Sequence, residues 1–546
     1  MKKATFLLTG IMATSCAQQK AISYPQTATV DTVDTYFGVS VPDPYRWLEN
    51  DTSAATASWV KAQNEITNNY LEHIPFRQDL LKRLTELANY ERISAPFKKH
   101  GKYYFYKNDG LQNQSVLYVQ DALNSEARVF LDPNKLSDDG TVALTSLSFS
   151  NNGKYAAYTI SRSGSDWREI YVMDVATGSL LDDHITWAKF TDAAWHGDGF
   201  YYSAYDAPSK GKEFSNVNEH HKIYYHKLGE PQQNDRLVYE NKAYPKRFYT
   251  AQVSEDERVL FIYESGEGRG NALFMQDLTQ KSAPVVQLAS DFDYQYTPIE
   301  VIGNRIYFFT NYQAAKNKIM AAELQSPELA NWKEVVPEKE QVLSDVRVIG
   351  GKLFLTYDKD ASNHAYVYDL QGKELQEIEL PSLGSVSFNG DKDDEECFFS
   401  FTSFTIPGAT YKYDVQKNSY ELFRAPKVKF HSDDFVTEQV FFPSKDGAKI
   451  PMFLTYQKGL KKNGKNPVFL YGYGGFNISL YPSFSINRIP FLENGGIYVQ
   501  VNLRGGSEYG EDWHVAGTKM QKQNVFNDFI AAAEYLIDNK YTNSQK

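Results

Sequence analysis

Cysteine is almost missing from this chain. Its 546 residues include two, Cys16 and Cys397, so neither a disulfide framework nor a cysteine-rich metal cluster holds the fold together. Positive charge is also short: 57 Lys and Arg stand against 68 Asp and Glu, a formal charge of −11 with His neutral. Binding a run of phosphates needs the opposite balance, and no nucleic-acid partner is expected. No mature run of about 18 apolar residues is present, and mean hydropathy is −0.51, which argues against a helical membrane bundle. Two catalytic signatures are absent throughout, His-Glu-x-x-His and Gly-x-Ser-x-Gly. Aromatic residues, by contrast, are plentiful. The 39 Tyr and 34 Phe favour pleated, half-buried surface and hence β structure.

The first residues read as an export signal over 1–20. Lys2 and Lys3 precede an uncharged segment, Ala4 to Ser15, that is too short to span a bilayer. Ala13-Thr14-Ser15-Cys16 resembles a bacterial lipoprotein processing site, with Ala13 where Leu is usual. Cys16 is then the lipidation residue and a membrane tether, and the expected location is the periplasm or outer membrane. Ordinary cleavage nearby, discarding Cys16, is the alternative. Cys397 reads as a small buried hydrophobe in a strand.

Residues from about 53 to 90 carry apolar positions at helical spacing, in two helices. From about 98 to 416 short aromatic and β-branched runs alternate with Gly, Asn and Asp turns. Seven such units follow one another, beginning at Gly101-Lys102-Tyr103-Tyr104 and ending at Cys397-Phe398-Phe399-Ser400. A spacing of roughly 45 to 60 residues suits four-stranded propeller blades better than a pair of β-sandwiches. After about 430, Lys449–Thr455, Pro467–Tyr471 and Gly496–Val501 read as buried strands, and Asn524 to Ile537 as a helix with Val525, Phe526, Phe529, Ile530, Ala533, Leu536 and Ile537 on its apolar face. This is the start of an α/β unit.

Tyr471-Gly472-Tyr473-Gly474-Gly475-Phe476 follows one of those strands. Glycines there let backbone approach a ligand, and a Tyr hydroxyl can donate to a developing oxyanion; alone, the segment reads better as a structural turn. Gly266 to Gly270 reads as a turn between strands, His220-His221 as an exposed loop pair without a second ligand set, and His514 and Asp528 as structural. No metal or other cofactor is implied.

The chain resembles the prolyl oligopeptidase family of serine peptidases. The segments that carry the resemblance are Pro42–Glu49, Gly164–Trp167, Phe401–Phe404 with Pro407-Gly408, Pro443–Gly447 with Ile450–Phe453, Tyr471–Asn477, Asn502–Gly510 and Asn524–Phe529. The resemblance implies a seven-bladed β-propeller inserted in an α/β-hydrolase domain. Residues 24–95 would be the N-terminal part of the hydrolase domain, 96–429 the propeller, and 430–546 the start of the catalytic domain. Tyr473 matches the oxyanion-hole tyrosine and Phe476 a wall of the proline pocket. Phe190 and Phe248 align with propeller residues that approach the peptide. Near Glu264 relatives often carry Arg, which leaves the charge of one remote subsite open. Gly474-Gly475-Phe476 fits the proline-specific branch better than the basic-specific one. The family's nucleophile, acid and base fall after the helix at 524–537, so the hydrolase domain is expected to be incomplete at its C-terminal end and these 546 residues inactive alone. The whole protein is expected to be a monomeric serine endopeptidase acting on short proline-containing peptides. A related oligopeptidase of other specificity and a non-catalytic peptide-binding propeller lipoprotein are the alternatives.

Overall fold

The computed structural model describes residues 22–546 except Glu267. Cys16 and the export signal lie outside the described residues. The chain divides into two compact units, 1–83 and 84–546.

In the first unit, Val33–Tyr36 and Val39–Pro42 form an antiparallel hairpin with Val33 opposite Pro42. Its turn, Phe37-Gly38, has both φ values positive, +53° and +82°, as a two-residue hairpin of matching twist requires. Arg46 is gripped by Asp34 and by Asp43 at 2.6 Å. The helix Ala54–Glu72 starts where Ser53 Oγ accepts the Thr56 N–H. A second helix follows at Arg77–Ala88, so both helices read from spacing are present.

The second unit opens with seven β-sheets over 92–131, 142–188, 194–239, 248–289, 296–336, 342–378 and 385–424. Each is an antiparallel run of neighbouring strands; one pair, Ala188 with Ala204, bridges the second and third. Alternating side chains put one set of aromatic and aliphatic residues on each sheet face, and adjacent blades bury those faces against each other. Blades one and two meet through Tyr104 and Tyr158, two and three through Ile170 and Phe200, three and four through Ile223 and Leu260. Blades four and five meet where Phe261 packs with Phe308, which stacks on Trp332 of its own blade at 3.7 Å. Ile319 meets Leu355 between five and six, and Phe354 meets Tyr413 between six and seven. Cys397 is fully buried in that last cluster, and burial pushes its thiol up to about 12, as a small inert hydrophobe.

The seventh seam is different. Blades one and seven share no strand, and among the described residues no apolar cluster joins them. Lys99 pairs with Asp391 at 2.7 Å, Lys98 with Asp394 at 3.5 Å, and Tyr103 donates to Glu396 at 2.9 Å. Exposed ion pairs contribute about 0.2–1 kcal/mol each and are screened by salt. Raising NaCl to 1 M is therefore expected to speed amide exchange in blades one and seven while leaving blades three to five unchanged; uniform exchange across all seven would contradict this.

After the propeller the chain forms a four-stranded sheet in the order Phe435–Pro443, Lys449–Gln457, Ile497–Val501, Val468–Gly472. The last two strands run parallel, with Val468 beside Ile497. One face buries Met452, Leu454, Val499 and Val501 against Val525, Ala532 and Leu536 of the helix Gln523–Asp538. The other buries Phe453 and Tyr498 with Phe404 from blade seven. Two covered faces explain the continuous apolar runs of the central strands. The propeller and this sheet are joined by Tyr481 Oη donating to Asp358 at 2.6 Å, Tyr509 Oη donating to Asp360 at 2.9 Å and Ser385 Oγ donating to the Pro482 carbonyl at 2.7 Å.

Two sequence expectations need correction. Val468–Gly472 is not a buried strand: Phe469 and Tyr471 are exposed, because the strand lies at the sheet edge facing a cavity of about 740 Å³. On the helix Gln523–Asp538, Phe526, Ile530 and Ile537 are also exposed. Its buried side consists of Val525, Asp528, Ala532 and Leu536.

Candidate active site

The loop after Val468–Gly472 is shaped by a second loop pressed against it. A Cβ on Gly474 would sit 2.5 Å from Val525 Cγ1, and one on Gly505 would sit 2.6 Å from the Gly474 carbonyl. Both positions have positive φ, +61° and +98°, which only glycine adopts without strain. The Asn477 N–H donates to the Gly505 carbonyl at 3.1 Å, Ser507 Oγ donates to the Asn477 carbonyl at 2.9 Å, and Lys522 Nζ donates to the Gly474 carbonyl at 2.7 Å.

This pinning turns Tyr473 and Phe476 outward. Tyr473 is 45% exposed, and Phe476, itself at φ +55°, is 85% exposed; their rings lie 6.4 Å apart. Among the described residues no hydrogen bond engages the Tyr473 hydroxyl. A left-handed, solvent-facing phenylalanine is unfavourable for folding alone. Beside a free phenol donor it forms a small apolar wall with one polar contact, the ordinary make-up of a ligand site.

The base of the loop is held by charge. Arg504, 6% exposed at its side chain, donates from Nη2 and Nε to the two oxygens of Asp528 at 2.6 and 2.9 Å, and from Nη1 to Asp446 at 2.6 Å. Ser444 Oγ donates to Asp528 at 2.6 Å. These hydrogen bonds raise the Arg504 pKa and lower that of Asp446. Asp528 is fully buried with both oxygens engaged, a structural anchor as its place in the helix suggests. His514 lies 3.3 Å from Glu511, on the short helix Glu511–Val515.

On the propeller, Phe190 and Phe248 form a second pair with rings 5.1 Å apart. Phe190, at φ +52°, is half exposed, and Lys189 Nζ sits 5.4 Å from its ring centre and 4.9 Å from that of Trp167. No ring contact joins this pair to Tyr473 and Phe476 among the described residues.

His221 is not exposed, contrary to the reading of His220-His221 as an open loop pair. It is fully buried; Nε2 donates to the Lys189 carbonyl at 3.1 Å and Nδ1 accepts the Tyr249 N–H at 2.9 Å. Burial lowers its pKa to about 4, so a neutral imidazole ties the Phe190 turn to the Phe248 strand. Glu264 is likewise buried and paired with Arg247 at 2.8 Å; the guanidinium lies between Tyr244 at 3.6 Å and Phe292 at 4.3 Å. The charge left open at Glu264 is thus matched from the neighbouring strand. The segment read as a turn lies between the strands Val259–Ser265 and Asn271–Asp277 of blade four, and its Glu267 is outside the described residues.

Residues 25–426 match the family model for the prolyl oligopeptidase N-terminal beta-propeller domain, and residues 482–546 match that of the prolyl oligopeptidase family. The chain belongs to the prolyl oligopeptidase family. It is 46% identical over 536 residues to a prolyl endopeptidase of Elizabethkingia meningoseptica, covering 98% of this chain and 76% of that protein. A solved prolyl endopeptidase superimposes with a TM-score of 0.90 at 35% identity, over 95% of this chain and 77% of its own. Prolyl oligopeptidase B from Galerina marginata, bound to a 35-residue hydrolysis and macrocyclization substrate, superimposes at 0.88 with 32% identity over 95% and 77%. The Galerina protein was solved with a histidine, an aspartate or a serine replaced by alanine. These likenesses agree with a propeller on an α/β-hydrolase sheet.

Proposed function

We propose that this chain is the greater part of a serine endopeptidase that cleaves short peptides on the carboxyl side of proline. The observation that carries the reading is the outward pair Tyr473 and Phe476 on a loop fixed from two sides, in a chain similar to named prolyl endopeptidases. The flat pyrrolidine ring has no N–H to satisfy and suits the apolar Phe476 face. The Tyr473 hydroxyl is free to donate to the carbonyl oxygen as it gains charge, a contact strongest in the transition state. Phe190 and Phe248 offer an aromatic surface for more distant substrate residues. The nucleophile lies outside these 546 residues, which contain no Gly-x-Ser-x-Gly. An acyl-enzyme then forms on a serine supplied by the longer protein, and residues 1–546 alone hydrolyse nothing.

In the longer protein, Phe476→Ala is expected to raise KM for a proline peptide about tenfold with kcat little changed, the signature of lost ground-state binding. Side-by-side turnover of substrates with Pro, Ala, Arg or Lys before the scissile bond tests the specificity. Preference for Arg or Lys would move the protein to a basic-specific oligopeptidase.

A further inference from the structure

Three buried acceptor atoms without a donor occur on two touching segments near the candidate loop: Asn477 Oδ1, Asn502 Oδ1 and Glu508 Oε2. Glu508 is 2% exposed and Asn502 is fully buried. The other Glu508 oxygen is well supplied. Oε1 accepts the Leu480 N–H at 2.9 Å and Asn502 Nδ2 at 3.1 Å, while Asn502 Nδ2 also donates to the Leu480 carbonyl at 2.7 Å. Glu508 and Asn502 therefore hold both backbone polar groups of Leu480, in the segment that carries Tyr473 and Phe476.

The electrostatics of the pocket are one-sided. Arg504, on the same segment, is committed to Asp528 and Asp446. The group facing Glu508 from blade six is another anion, Asp358, which accepts Tyr481 Oη at 2.6 Å, Ser344 Oγ at 2.8 Å and Asn363 Nδ2 at 2.8 Å. Tyr509, next in sequence, donates to Asp360. Oε2 and the Ile478 carbonyl crowd one point beside Gly506, where a Cβ would lie 2.2 and 2.8 Å from them. A bare carboxylate oxygen there lies near another acceptor, the Ile478 carbonyl, and receives no hydrogen bond. Buried polar groups of this kind are costly unless paired.

We propose that Glu508 is a neutral, protonated carboxylic acid in the folded protein and acts as the positioning residue for the segment 473–481. A proton on Oε2 converts an acceptor without a donor into a donor beside the Ile478 carbonyl. Asp358, with three donors, is the better placed of the two to remain an anion. Burial, with Asp358 adding to it, raises the Glu508 pKa to about 7, and burial raises that of Asp358 to about 6. With an unfolded pKa near 4.5, the Glu508 contribution is complete below that pH and is lost as pH rises through 7. The protonation stands on the packing alone; its bearing on Tyr473 rests on the function proposed above.

The test therefore uses no catalysis. Exchange of the Leu480 amide, corrected for intrinsic rate, is followed from pH 5 to 9 in the native protein, Glu508→Gln and Glu508→Ala. Protection in the native protein is expected to fall by up to about tenfold per pH unit between pH 5 and 7 and to level off above pH 8. Glu508→Gln, whose amide supplies the missing donor permanently, is expected to hold its protection across that range, and Glu508→Ala to lose it at every pH. The infrared carbonyl band of a protonated carboxylic acid in native protein, present at pH 6 and gone by pH 9, gives the same answer without a variant. Native protection that is flat with pH, or an ionised Glu508 at pH 6, would overturn the proposal.

Discussion

Arg504→Ala is expected to destabilise the hydrolase portion by about 3–5 kcal/mol, the cost typical of removing one partner from a buried ion pair. The magnitude follows from what is left behind. Asp528 is fully buried and takes hydrogen bonds from the Arg504 side chain, the Arg504 N–H and Ser444. Without the guanidinium its negative charge keeps a backbone N–H and a hydroxyl but no cation. The same arginine ties together the segment at 502–506, the turn at Asp446 and the helix Gln523–Asp538, so its loss loosens three elements at once. Arg504→Lys is expected to recover only part of the loss, since an ammonium cannot reproduce the fork on Asp528. Urea unfolding followed by amide exchange in that helix measures the effect; an unchanged midpoint for Arg504→Ala would show that the network contributes little.

The second large effect concerns chemistry. In the longer protein, Tyr473→Phe is expected to lower kcat about 10²–10³-fold, some 2.7–4 kcal/mol of transition-state stabilisation, as removal of one oxyanion donor does elsewhere. KM should stay near its native value, because the hydroxyl meets the substrate strongly only after charge has moved to the oxygen. Among the described residues the Tyr473 hydroxyl bonds nothing and the ring is 45% exposed. The substitution should therefore leave the unfolding midpoint in place, separating a catalytic loss from a structural one. Full activity in Tyr473→Phe would remove the tyrosine from the mechanism.

Much of the fold is legible in the residues themselves. The seven turn-and-strand units from Gly101 to Asp414 correspond to seven sheets, because a propeller repeats one local pattern and every blade needs the same alternation. The helix read from Asn524 onward is observed at Gln523–Asp538. Burial was harder to read. Periodicity reports which side of an element is apolar, not whether anything covers it, so the exposure of Phe469, Tyr471, Phe526 and Ile530 is not legible from it. His221 looked like half of a polar loop pair because its partners, the Lys189 carbonyl and the Tyr249 N–H, are backbone groups distant in sequence. At the site, the glycines around Tyr473 signalled a close approach, and the structure identifies what approaches: Leu503, Arg504 and Val525. Glu508 lies within the segment Asn502–Gly510, yet its burial is not legible there. A carboxylate among glycines reads as solvated, and only the packing of Leu480 and Asn502 on it shows otherwise.

The central claim is tested most directly by expressing the protein with the reading frame that follows codon 546 and measuring hydrolysis of a short peptide after proline. The account predicts turnover that a serine-directed inhibitor abolishes, and none from residues 1–546 alone. A stop codon directly after Lys546, or a longer protein inert toward proline peptides, would contradict it.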